Sequence, residues 1–140
     1  MQENCIFCQI IRGEIPSFNV WEDEDTFAFM DINPVHDGHV LIIPKEHAGD
    51  VFTVSAAASG AVMRTAQRVA RSVRAVVQPD GLNLVQCNGA AAAQSVLHFH
   101  VHVLPRKKND NLALNWGLQP GDMNHIGALA KCIRADLEAN

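Results

Sequence analysis

Between Leu97 and Leu104 the chain reads Leu-His-Phe-His-Val-His-Val-Leu, with histidine at every second position and an apolar residue between each pair. A period of two is that of an extended strand, whose successive side chains point to opposite faces. His98, His100 and His102 are therefore expected to project together, with Phe99, Val101 and Val103 turned to an apolar interior. Such a segment demands a core on one side and tolerates a polar site on the other. Three of the seven histidines fall within these five residues, and nothing in the apolar surroundings otherwise calls for imidazole.

The flanking sequence supplies the rest of a fold. A short helix is expected from Cys5 to Arg12, stopped by Gly13 and Pro16. Phe18–Trp21 and Thr26–Met30 read as strands around the acidic turn Glu22–Asp25, and Asp31-Ile32-Asn33-Pro34 has turn chemistry. His39–Ile43 is a further strand, ended by Pro44. A long helix follows Ser55 as N-cap, with Ala58, Val62, Thr65, Val69, Val73 and Val76 at three- and four-residue steps. Pro79-Asp80-Gly81 is a turn. Leu82–Cys87 and Ser95–Leu104 are two more strands across the small-residue loop Gly89–Ala93, and Pro105 closes the second. Asn109–Pro120 reads as irregular, and Met123–Leu137 as a final helix capped by Asp122. The order predicts an α+β fold: a mostly antiparallel sheet of about five strands, one long helix and a C-terminal helix.

With 140 residues, 48% hydrophobic and 19% charged, the chain is sized for one globular domain, 1–140, with a real core. A net charge of −4 gives no bulk reason for nucleic-acid or membrane partners, so any anion site must be local. Arg64, Arg68, Arg71 and Arg74 line one side of the long helix and read as a solvated face. The start lacks a basic region, Cys8 and Gln9 break the Ile6–Ile11 stretch, and no apolar run approaches the roughly 20 residues of a membrane span. A cytoplasmic location is the expectation. In a reducing compartment, Cys5-x-x-Cys8 reads as a metal knuckle or redox pair rather than a structural disulfide. Cys132 is expected as buried filler in the last helix.

Two chemistries suit the histidine row. A His-x-His pair with a third ligand can hold a catalytic metal. Alternatively, one imidazole is a nucleophile that its neighbours orient and assist. With an ordinary pKa of about 6.5, imidazole offers a neutral lone pair at physiological pH, provided the ring proton sits on the other nitrogen. A flanking histidine can then hydrogen-bond a phosphate oxygen as charge shifts in the transition state.

The row His98-Phe99-His100-Val101-His102-Val103-Leu104 resembles the signature of the histidine triad family. The resemblance extends through Cys5-Ile6-Phe7-Cys8, Asp31-Ile32-Asn33-Pro34, Gly38-His39, Ile43-Pro44-Lys45-Glu46-His47 and Gln94-Ser95-Val96, about the first 106 residues. It implies a nucleotide hydrolase or nucleotidyl transferase cleaving at the α-phosphate of substrates such as dinucleoside polyphosphates or nucleoside phosphoramidates. His100 would form a covalent nucleotidyl-histidine, His102 would bind phosphate, and His39 would support the triad from a neighbouring strand. Asn88, Gln94 and Ser95 would surround the α-phosphate, and Asp31 would bind the ribose hydroxyls. Family members commonly carry asparagine where Cys87 stands and glycine where Ala93 stands. They are commonly homodimers, so a homodimer is expected.

Some bacterial members resembling this chain bind zinc through two cysteines, the histidine after a Pro-Lys pair and the first triad histidine. Those positions are Cys5, Cys8, His47 and His98. Four protein ligands would fill a tetrahedral shell and leave no open position, which implies a structural zinc and no catalytic cofactor. A zinc hydrolase using the three triad histidines, and a nucleotide-binding or interaction protein with little turnover, are the competing readings.

Overall fold

The computed structural model describes residues 2–114 and 118–139, in two compact units, Met1–Asp110 and Asn111–Asn140. The first holds α1 (Ile6–Ile11), β1 (Asn19–Glu22), β2 (Thr26–Met30), β3 (Val40–Pro44), α2 (Ala56–Val77), β4 (Gly81–Val85) and β5 (Val101–Arg106). Its five strands form one sheet in the order β1-β2-β3-β5-β4, every neighbouring pair antiparallel. The second unit contains α3 (Met123–Ala139), where Asp122 Oδ1 accepts the Asn124 and His125 N–H groups as a cap. Cys132 is exposed rather than buried, and α3 has no buried residue among those described. The irregular stretch expected at Asn109–Pro120 includes residues 115–117, which lie outside the described residues.

Both faces of the sheet are covered, which explains the nearly continuous apolar runs in β2 and β3. Alternate residues Ala28, Val40, Ile42, Val101 and Val103 pack with Phe99 against Val62, Ala66, Val69 and Val73 of α2. The intervening residues Phe27, Phe29, Leu41 and Ile43 pack against Cys5, Phe7, Cys8 and Ile10 at the N-terminus. Ser55 caps α2 by accepting the Ala58 N–H, and Glu46 in turn accepts the Ser55 N–H and O–H. The apolar stripe of α2 runs through Val73 to Val77 and leaves out Val76, which is 83% exposed. The four arginines of α2 are exposed, as a solvated face requires.

The largest departure from expectation is β5. The strand begins at Val101, not Ser95, so only His102 of the row lies within it. Continuing its register with β3 would bring Phe99 opposite Pro44, which has no N–H to contribute. The Phe99 N–H instead donates to Ala48 O. A three-residue 3₁₀ turn, Ala90–Ala92, and a bent segment carry the chain into the strand. The two-sided alternation survives nevertheless: Phe99, Val101 and Val103 enter the α2 core, while the rings of His98 and His100 lie edge-on to Phe7 on the other face.

Gly38 is the tightest point between β3 and α2. It sits at φ +85, and a Cβ there would lie 2.8 Å from Val77 Cγ2 and 3.0 Å from Val73 Cγ1. Gly38→Ala therefore combines left-handed strain with overpacking and should destabilise the protein by about 1–3 kcal/mol. Urea unfolding checks this; a midpoint unchanged from the parent would contradict the packing described.

Candidate active site and metal centre

The histidines of the row are held in defined tautomers, and each can be traced to a hydrogen bond. His100 Nδ1–H donates to the backbone carbonyl of His98 at 2.6 Å, leaving the lone pair on Nε2. His39, immediately before β3, accepts the Val35 N–H on Nδ1 at 3.2 Å. A neutral His39 must then carry its proton on Nε2, which donates to His102 Nδ1 at 2.8 Å. That in turn leaves a neutral His102 with its proton on Nε2. The Asp31 carboxylate lies 3.4 Å from the same His39 Nε2. A free lone pair on His100 and an N–H on His102 thus sit side by side, with ring centroids 5.0 Å apart.

Burial keeps these rings uncharged. His102 is pushed down to about 4 by desolvation, reinforced by His100 and His39. His100 and His39 are lowered by desolvation too, partly offset for His39 by Asp31 and for His100 by the His98 carbonyl and Asp31. The site is therefore a neutral-imidazole site at physiological pH, as a nucleophile requires.

His98 faces elsewhere. Fully buried, it donates Nε2–H to Pro44 O at 2.9 Å, which leaves Nδ1 as the free donor atom. That nitrogen lies 3.4 Å from Cys5 Sγ, 3.6 Å from Cys8 Sγ and 3.3 Å from His47 Nδ1, while Cys8 Sγ is 3.3 Å from His47 Nδ1. Around a tetrahedral zinc with Zn–N about 2.0–2.1 Å and Zn–S about 2.3 Å, the N···N edge is about 3.3 Å and the S···N edge about 3.5 Å. The observed separations match, and the protonated outer nitrogen of His98 is bonded as metal-ligating imidazoles usually are. Burial raises the Cys8 thiol, so a cation at this point is what would hold it as thiolate.

Asp31, His39 and His102 also place three donor atoms within 4.8 Å of one another. Here the tautomer is wrong for a metal. Ligation through His39 Nε2 would force its proton onto Nδ1, against the Val35 N–H. Among the described residues, no metal-ligating group unites His98, His100 and His102.

The remaining candidates shape the approach loop. Gln94 Oε1 accepts the Gly89 N–H, and its Nε2 donates to Gly49 O and Val96 O. Asn88 Oδ1 accepts from Val51 N–H and from Gln86 Nε2, and its amide donates back to Gln86. Ser95 is exposed between Gln94 and the row. Ala93 takes φ +61, a left-handed conformation in which glycine is at ease and alanine is strained. Asp31 does double duty: Oδ1 accepts the Asn33 N–H, the turn-capping role, and Oδ2 faces His39.

Sequence reasoning missed three contributors. Phe7 has no sequence signal beyond its place in the cysteine motif, yet its ring supports His98 and His100. Val35 N–H and the Pro44 carbonyl set tautomers, and backbone groups carry no sequence signal. Because the unfolded His102 titrates near about 6.5 and the folded one at about 4, the unfolded chain binds more protons between these values. Stability is complete above that window and falls as pH drops through it. Urea midpoints measured from about pH 7.5 down to about pH 4.5 should decline more steeply in the parent than in His102→Asn; equal slopes would remove His102 as the cause.

The HIT domain model matches residues 12–109. Protein hit of Bacillus subtilis is 40% identical over 132 residues, 90% of this chain and 91% of the relative. An adenosine 5'-monophosphoramidase of Saccharomyces cerevisiae is 37% identical, covering 97% of this chain and 84% of the enzyme. Among solved structures, SMU.412c from Streptococcus mutans superposes with a TM-score of 0.93 at 34% identity, over 98% of this chain and 87% of that one. A Zn-bound histidine triad family protein from Mycobacterium smegmatis superposes at 0.74 with 34% identity, over 97% and 96%. Sequence, topology and the paired imidazoles converge on one lineage, and the chain belongs to the histidine triad (HIT) family.

Proposed function

We propose a specific chemistry for this histidine triad nucleotide hydrolase: His100 Nε2 attacks the α-phosphorus of a nucleotide, forming a P–N bond as the bond to the leaving group breaks. The observation that carries the reading is the 2.6 Å bond from His100 Nδ1–H to the His98 carbonyl, which leaves the lone pair of a neutral ring on Nε2. As the ring becomes positive on bonding to phosphorus, the same carbonyl accepts from a more acidic N–H and stabilises the charge. His102 Nε2–H donates to a non-bridging phosphate oxygen, and His39 holds it in that tautomer. Water then attacks the phosphorus, the P–N bond breaks, and a nucleoside monophosphate leaves with His100 restored.

Asp31 binds the ribose hydroxyls through its carboxylate, and the Asn88–Ser95 loop encloses the α-phosphate. Nucleoside phosphoramidates and dinucleoside polyphosphates are the substrates of choice; the phosphoramidase activity named for the yeast relative favours the former. No described helix is long and apolar enough to cross a membrane. In this reading the protein acts on small nucleotides as a cytoplasmic homodimer. Zinc at Cys5, Cys8, His47 and His98 is structural: it ties the N-terminal helix to the chain entering β5.

His100→Asn should lower turnover by several orders of magnitude while nucleotide binding survives, since Asp31 and the loop remain. Quenching the parent with labelled nucleotide, without acid, should trap an acid-labile adduct at His100. Substantial hydrolysis by His100→Asn would overturn the assignment, and a parent inactive across all substrates would leave a binding module instead.

Protein purified under reducing conditions without chelator should contain about one zinc per chain. Cys5→Ser/Cys8→Ser should lose it and unfold at lower denaturant. Full zinc retention by the double variant would refute the ligand set.

A further inference from the structure

The loop between β2 and β3 carries Asp31 at one end and His39 at the other, and is closed by its own backbone. Asp31 N–H donates to His39 O, and His39 N–H donates to His36 O. Between them, the Val35 N–H determines which nitrogen of His39 bears the proton. A loop with this task needs an anchor outside itself, and His36 supplies one. Its Nε2 lies 3.1 Å from Asp110 Oδ2, and the Asp110 side chain is only 3% exposed.

Asp110 is itself locked. Arg106, at the end of β5, meets both carboxylate oxygens, Nε to Oδ2 at 2.7 Å and Nη2 to Oδ1 at 2.8 Å. The Lys107 N–H donates to Oδ2, and Arg106 Nη1 donates to Asn83 Oδ1 on β4. An ionised carboxylate only accepts, so His36 must be the donor and must carry its proton on Nε2. A bidentate arginine pair held between two strands is a rigid reference point.

We infer that His36, held by the Arg106–Asp110 pair, is a positioning residue for the nucleotide site: it pins the loop that presents Asp31 and sets the tautomers of His39 and His102. The inference rests on the hydrolase reading above. His36 touches no reacting atom. Its effect runs through one covalent neighbour, Val35, and through its own carbonyl, to His39. Releasing it would let the Val35 N–H leave His39 Nδ1, and the His102 Nε2–H offered to phosphate would no longer be the only tautomer.

The test uses the zinc-loaded, full-length protein with His36→Ala and His36→Gln, the latter keeping an N–H donor near the Nε2 position. Three readouts are compared: kcat/KM on adenosine phosphoramidate, kcat/KM on its 2',3'-dideoxy analogue, and ring-nitrogen NMR of His39 and His102. For His36→Ala we expect a loss of roughly tenfold or more on the ribonucleotide. The loss on the dideoxy analogue should be smaller, because Asp31 has no hydroxyl to hold there. The NMR should show mixed tautomers at His39, and His36→Gln should recover most of all three. Unchanged kinetics with unchanged ring nitrogens overturns the inference. So does an equal loss on both substrates without recovery in His36→Gln, which would mark a merely structural anchor. A parent that turns over neither substrate refutes the hydrolase reading alone; the tautomer comparison still decides the clamp.

Discussion

Everything at the centre of this protein hangs on the way His98 spends its polar atoms. Its Nε2–H goes to the Pro44 carbonyl, its Nδ1 faces Cys5, Cys8 and His47, and its backbone carbonyl receives the His100 Nδ1–H. One fully buried residue therefore joins the end of β3, the N-terminal helix and the adjacent imidazole. A buried imidazole with an unmatched nitrogen would cost on the order of 1–3 kcal/mol, so each partner is needed for the others to stay in place. The candidate metal centre and the candidate nucleophile are two ends of one hydrogen-bonded unit.

Burial also determines what kind of histidines these are. Exposed, each would be substantially protonated below neutrality; desolvated, they stay neutral and become donors or acceptors according to their neighbours. The cluster is therefore directional: Val35 to His39, His39 to His102, and the His98 carbonyl taking the His100 proton. The same reasoning separates the two donor groupings. Cys5, Cys8, His47 and His98 converge lone pairs on one point, whereas Asp31, His39 and His102 share a proton.

The fold serves this arrangement through its two covered faces. α2 packs against one side and takes Phe99, Val101 and Val103, leaving the intervening histidines on the side where Phe7 and the cysteines lie. The Arg106–Asp110 pair, at the end of β5, steadies the loop that returns to His39. Ala93 shows that the approach loop tolerates strain: alanine takes a left-handed conformation that glycine would adopt at ease. Its conformation is retained because Gln94 saturates its amide on both sides of the turn.

The sequence by itself determined the antiparallel α+β plan, the capped long helix and the two-sided alternation of the row. Those follow from local periodicity, capping chemistry and motif order, which are written in neighbouring residues. Only the tertiary structure decided that β5 begins at Val101, because the proline that ends the ladder lies on another strand. It alone decided that Val76 and Cys132 are exposed, since a helical stripe does not say where its partner surface stops. The tautomers were illegible for a deeper reason. They are set by the Val35 N–H and the Pro44 and His98 carbonyls; every residue has such a carbonyl and all but proline such an N–H, so only their placement in space distinguishes them.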